Sequence, residues 1–138
     1  MTLNPDVVRA RCADIEDAVA ALQRFGSMPV AQFCANRDLA DAACYRLLVA
    51  IEAALGLCYH VSAKHLRKVP EQFAECFRTL GAAGVVQADL AERLQAMARF
   101  RNVLVRMYAK VDLGRVHEII SHDLGDLRAF AAAIARLL

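Results

Sequence analysis

Residues 38–66 read DLADAACYRLLVAIEAALGLCYHVSAKHL, a long run rich in the strong helix formers Ala and Leu and with no proline. Leu48, Ile51, Ala54, Leu55, Cys58 and Val61 recur at helical spacing and share one broad apolar face. This run predicts the longest helix of the chain, starting at Asn36 or Asp38 and ending near Val69-Pro70, and everything else must pack around it.

Working outward, Asn4-Pro5 is a helix start, because Asn caps free N–H groups and Pro is harmless in the first turn. From there to about Phe25, the apolar stripe Ile15, Ala18, Val19 and Leu22 repeats at i, i+3, i+4 and i+7. Gly26-Ser27-Met28-Pro29 ends that helix, and a short link runs through Phe33. On the other side, Pro70-Glu71 opens a shorter helix, EQFAECFRTL, closed through Gly81 and Gly84. A fourth helix starts near Gln87–Asp89 and runs through Tyr108. Asp112 has the position of an N-cap for a fifth, which extends past Gly125 unless Gly114 or Gly125 interrupts it. No strand pattern, repeat or low-complexity segment appears. The expectation is an all-α, up-and-down bundle of four to five helices forming a single domain over residues 1–138.

Composition agrees. The 138 residues are 58% hydrophobic and 23% charged with six Gly and three Pro, which excludes a disordered chain. So high an apolar fraction points to surface covered by a second copy or a partner. A net charge of +2 is too small for nucleic-acid binding by overall field, so any such role needs local clustering. The five cysteines, Cys12, Cys34, Cys44, Cys58 and Cys76, lack CxxC spacing and a histidine pair to complete a zinc site. They read as reduced, mostly core residues of a cytoplasmic protein without a metal. The first residues carry early charges and no apolar h-region, and no run approaches the roughly 20 apolar residues of a membrane span.

Local clustering occurs in the fourth helix, where residues 99–108 read RFRNVLVRMY. On a helix Arg101 and Tyr108 share one face, Asn102 and Arg106 a neighbouring one, and Val103, Leu104 and Met107 take the remainder. Helical spacing alone is met equally well by an ordinary bundle helix with solvated arginines.

The longer segment FRNVLVRMYAKVDLGRVHEII is more specific. It resembles the signature of HEPN-domain toxins of the HepT type, the partners of minimal nucleotidyltransferase antitoxins, through Phe100, Arg101, Asn102, Leu104, Val105, Tyr108, Val111, Asp112, Arg115, Val116, Glu118, Ile119 and Ile120. The likeness extends over roughly residues 5–125, including the long helix with His60. It implies a HEPN-like homodimer whose two motifs face one cleft, acting as a metal-independent ribonuclease with tRNA as the expected RNA partner, and with no membrane or DNA partner. It further implies neutralisation by the nucleotidyltransferase antitoxin, which uses ATP and magnesium to transfer AMP to the motif tyrosine; the chain itself needs no cofactor. Carried over, Arg101 and Asn102 contact the scissile phosphate and Tyr108 is the AMP acceptor.

The chemistry explains the residue types. Cleavage through the ribose 2′-OH needs a proton-transfer group near neutral pH, which histidine supplies, and a fixed cationic fork on the phosphate, which arginine supplies. The departure is Arg106, which stands where the family pattern has histidine, and a guanidinium cannot act as a base at pH 7. Three explanations stay open: a natural variant that binds but has lost most cleavage, an inactivating substitution, or another histidine in its place. His60 is the best substitute base; His117 lies where the family often has tyrosine, and His65 and His122 read as exposed. The alternative function is a non-catalytic, substrate-binding partner of a nucleotidyltransferase.

Overall fold

The structure, a computed structural model, describes residues 3–107 and 110–138. Among these residues it contains seven helices and no strand: α1 (Pro5–Gly26), α2 (Val30–Ala35), α3 (Arg37–Lys64), α4 (Phe73–Ala82), α5 (Ala88–Arg106), α6 (Leu113–His122) and α7 (Leu124–Ala135). The all-α class is as expected, and the seven helices arise from two readings that differ from the sequence expectation. The link after Pro29 is itself a short helix, α2, which buries Phe33. The last segment divides at Asp123 rather than at either glycine: Gly114 and Gly125 lie inside α6 and α7.

α3 is the axis. Its buried face includes Leu47, Ile51, Ala54, Leu57, Cys58 and Val61, and α1, α4, α5 and α7 all pack on it. α1 lies along it most extensively, through Val8, Ile15, Val19 and Leu22, all fully buried. Its start is fixed as the sequence demands: the Asn4 side chain accepts from the Asp6 and Val7 N–H groups, with Pro5 in the first turn. Asn36 caps α3 through the Leu39 N–H, and Asp112 caps α6 through the Gly114 and Arg115 N–H groups.

α3 ends at Lys64, several residues before Pro70. Arg67 has φ 57°, the left-handed region, and the chain turns back so that the Leu66 and Lys68 N–H groups donate to the Val61 and Ser62 carbonyls. The buried Ser62 hydroxyl completes the turn by donating to the Lys68 carbonyl at 2.8 Å. The turn releases the chain early and brings Phe73, the first residue of α4, against α3.

α4 and α5 form a tight antiparallel pair. Gly81 is the reason: a Cβ there would stand 2.6 Å from the Ala91 side chain, so only glycine permits this approach. Gly84, with φ 77°, makes the turn that follows. Phe77 of α4 meets Phe130 of α7 edge-on at 5.3 Å. At the surface, Arg128 makes a two-pronged contact with Glu16 (2.9 and 2.7 Å) that ties α7 to α1, and the Nε–H of Arg93 on α5 is shared between the two carboxylate oxygens of Asp126 on α7. All five cysteines are free; Cys58 and Cys76 lie adjacent in the core, where burial pushes the Cys58 thiol far up.

Candidate functional site

The last turns of α5 carry the cluster. Leu104 anchors the helix to the core, while Val103, Val105 and Met107 remain 38%, 43% and 51% exposed. This end of the helix is therefore apolar on several sides without being covered.

Arg101 turns inward. Its Nε–H donates to the Glu52 carboxylate on α3 in a short, charge-assisted bond, and its Nη1–H donates to Asn102 Oδ1 at 3.3 Å. The guanidinium carbon lies 4.5 Å from the centre of the Phe73 ring, within cation–π range. Phe73 is in turn held edge-on by Tyr59 of α3, with ring centres 6.2 Å apart. Three elements thus converge on one guanidinium whose side chain is only 21% exposed. Beside Glu52, a shallow groove of about 420 Å³ opens between α1 and α3, with Arg11, Asp14 and Leu48 on its walls.

Arg106 does the opposite. It is exposed and makes no ion pair with any described residue. Five residues separate it from Arg101, so on a helix the two point about 140° apart, and Arg106 projects on the side of Asn102. One chain brings Arg101 and Asn102 together and leaves Arg106 facing solvent. The Tyr108 reading falls outside the described residues.

His60 has a different neighbourhood. Its Nε2 accepts from the Asn4 N–H at 3.1 Å, which ties α3 to the start of α1 and fixes the proton on Nδ1. Burial, reinforced by the Lys64 charge, lowers its pKa from the usual histidine value. Along α3 it sits about 12 Å beyond Glu52, and it makes no hydrogen bond to Arg101, Asn102 or Arg106. His117 is structural: its Nε2 meets the Met28 carbonyl at 2.6 Å and its ring packs on Phe33, pinning α6 to the turn after α1. His65 and His122 are exposed.

Several motif positions serve the fold. Val111, Val116, Ile119 and Ile120 are core residues, and Arg115 pairs with Glu118 one turn along α6. Sequence reasoning missed Glu52 and Phe73. Glu52 did leave a signal, being the one charged residue between Arg46 and His60 in an otherwise apolar stretch.

Comparison with known proteins follows this geometry. The family model described as ribonuclease HepT-like matches residues 15–134. The chain belongs to the HepT-like ribonuclease family. No curated protein matches it by sequence. Among solved structures it is similar to a tri-AMPylated HEPN toxin of Shewanella oneidensis in complex with its MNT antitoxin, at 23% identity and a TM-score of 0.86 over 96% of this chain and 99% of that one. It is also similar to a toxin–antitoxin with AMP-PNP, at 22% identity and a TM-score of 0.84 over 95% of this chain and 99% of that one. At such identities these likenesses establish the HEPN fold.

Proposed function

We propose that this protein is the toxin subunit of a HEPN/minimal nucleotidyltransferase toxin–antitoxin pair, a cytoplasmic, metal-independent ribonuclease scaffold whose cleavage is impaired. The observation that carries the reading is the disposition of α5 in a HepT-like chain: Arg101 anchored through Nε on Glu52 and Nη1 on Asn102, with Nη2 bonded to no described residue, and Arg106 exposed without a counter-ion among the described residues. Arginine forks of this kind suit an RNA phosphate.

The exposed Val103, Val105 and Met107 surrounding Arg106 support a homodimer, since apolar groups at a helix end are stable when a second copy covers them. Two copies related by a twofold axis would place both sets of arginines on one crevice, with tRNA as the natural polyanion. Because Arg106 cannot accept a proton from the 2′-OH, such a crevice grips RNA better than it cuts it. Silencing follows from AMP transfer to Tyr108 by a nucleotidyltransferase antitoxin with ATP and magnesium. The added phosphates bring negative charge beside Arg106 and offset the attraction for RNA.

The arginine in the histidine position also favours a second reading, a non-catalytic binding partner of a nucleotidyltransferase. Incubating tRNA with the wild-type protein and with Arg106→His separates the two. Cleavage by the histidine form alone, or far faster than by wild type, supports the nuclease scaffold; no cleavage by either supports the binding module.

A further inference from the structure

Resting on the reading of α5 as an RNA-gripping element, we infer that Glu52 is the positioning residue of Arg101 and sets the protein's affinity for RNA phosphate. Glu52 holds the Nε edge of the guanidinium, Asn102 takes one N–H of Nη1, and the Phe73 ring supports the flat face. A guanidinium has five N–H donors, so three remain, two on Nη2 and one on Nη1, and Arg101 donates them to no other described residue. One of them, on Nη2, runs parallel to the Nε–H on the Glu52 side; the edge offered to a phosphate is the terminal one between Nη1 and Nη2, where two parallel bonds can form.

The carboxylate therefore has two opposed effects. It fixes the orientation of an otherwise flexible side chain, which lowers the ordering cost of binding. It also places a negative charge beside the site the phosphate must approach, so RNA meets an arginine whose charge is already offset. Glu52 is 45% exposed, which makes the offset moderate and salt-dependent. Arg106 has no such partner among the described residues and provides the uncompensated charge. The two arginines thus have different tasks, one oriented and tempered, the other attracting at longer range.

The test is binding of a fluorescently labelled single-stranded oligoribonucleotide, followed by anisotropy across a series of KCl concentrations. The proteins are wild type, Glu52→Gln, Arg101→Met and the double variant. Glutamine keeps an oxygen for the Arg101 Nε–H but removes the charge, and at a half-exposed position it leaves folding intact. Glu52→Gln is expected to tighten binding about twofold to fivefold at low salt and to steepen the salt dependence by up to about 0.7 in slope. The gain disappears when Arg101 is Met. Equal tightening in the Arg101→Met background would make Glu52 a bulk charge rather than a partner of Arg101 and would overturn the inference. So would an unchanged Glu52→Gln beside a weakened Arg101→Met. If wild type binds no RNA, or Arg101→Met binds as well as wild type, the RNA-gripping reading of α5 fails first and the inference with it.

Discussion

Replacing Phe73 by Leu tests whether the platform under Arg101 holds energy as well as geometry. Leucine preserves most of the apolar contact at this half-buried position but removes the ring. Two interactions go with it: the cation–π contact at 4.5 Å and the edge-on pair with Tyr59 at 6.2 Å. With Arg101 only 21% exposed, the first is worth about 1 kcal/mol, and the aromatic pair about 0.5–1 kcal/mol. Phe73→Leu should therefore cost about 1.5–2 kcal/mol, a fall of roughly 5–8 °C in Tm for a domain of this size. Urea unfolding of wild type, Phe73→Leu, Arg101→Met and the double variant isolates the pair. The cycle should give a coupling of about 1 kcal/mol, because the double variant can lose the cation–π contact only once. Strict additivity would mean that the ring and the guanidinium are neighbours without attraction, and the account of how Arg101 is held would fail.

Three further outcomes follow from the fold. Gly81→Ala should destabilise by about 1–3 kcal/mol, read by thermal unfolding, because its Cβ would stand 2.6 Å from the Ala91 side chain and force α4 and α5 apart. Arg67→Gly should stabilise by about 0.5–1 kcal/mol by relieving a left-handed backbone at an exposed site. His60 has a lowered folded pKa, so its contribution is fully present above the unfolded value of about 6.5 and is lost as pH falls below it; denaturation between pH 7.5 and 5 should show that loss, and His60→Gln should remove this component of the slope.

What could be read in the sequence was local. Asn4, Asn36 and Asp112 each cap a helix through their own side chains within three residues, so the starts of α1, α3 and α6 needed no tertiary information. The stripe Ile15, Ala18, Val19 and Leu22 became core for the same reason. The ends were harder. α3 stops at Lys64 because Arg67 adopts a left-handed conformation supported by the buried Ser62 hydroxyl, and neither residue type announces that. α2 escaped notice because a six-residue helix beside Pro29 carries too little periodicity, and the division at Asp123 occurs where no breaker stands. At the site, Arg101 and Asn102 were visible as a motif, but the partner of Arg101 lies 49 positions away on α3, a pairing that only the packing of α5 across α3 creates. Helical arithmetic placed Asn102 and Arg106 together on one face, beside that of Arg101; it also implies that Arg101 and Arg106 diverge within one chain, which makes a second copy part of the functional reading.

The central claim, that this chain is the target of a nucleotidyltransferase at its motif tyrosine, is tested most directly by intact-mass spectrometry after incubation with the cognate antitoxin, ATP and magnesium. The account predicts a mass increase of one or more AMP units on the wild-type chain and none on Tyr108→Phe. A Tyr108→Phe chain modified to the same extent, or a wild-type chain left unmodified by an antitoxin that binds it, would contradict the account.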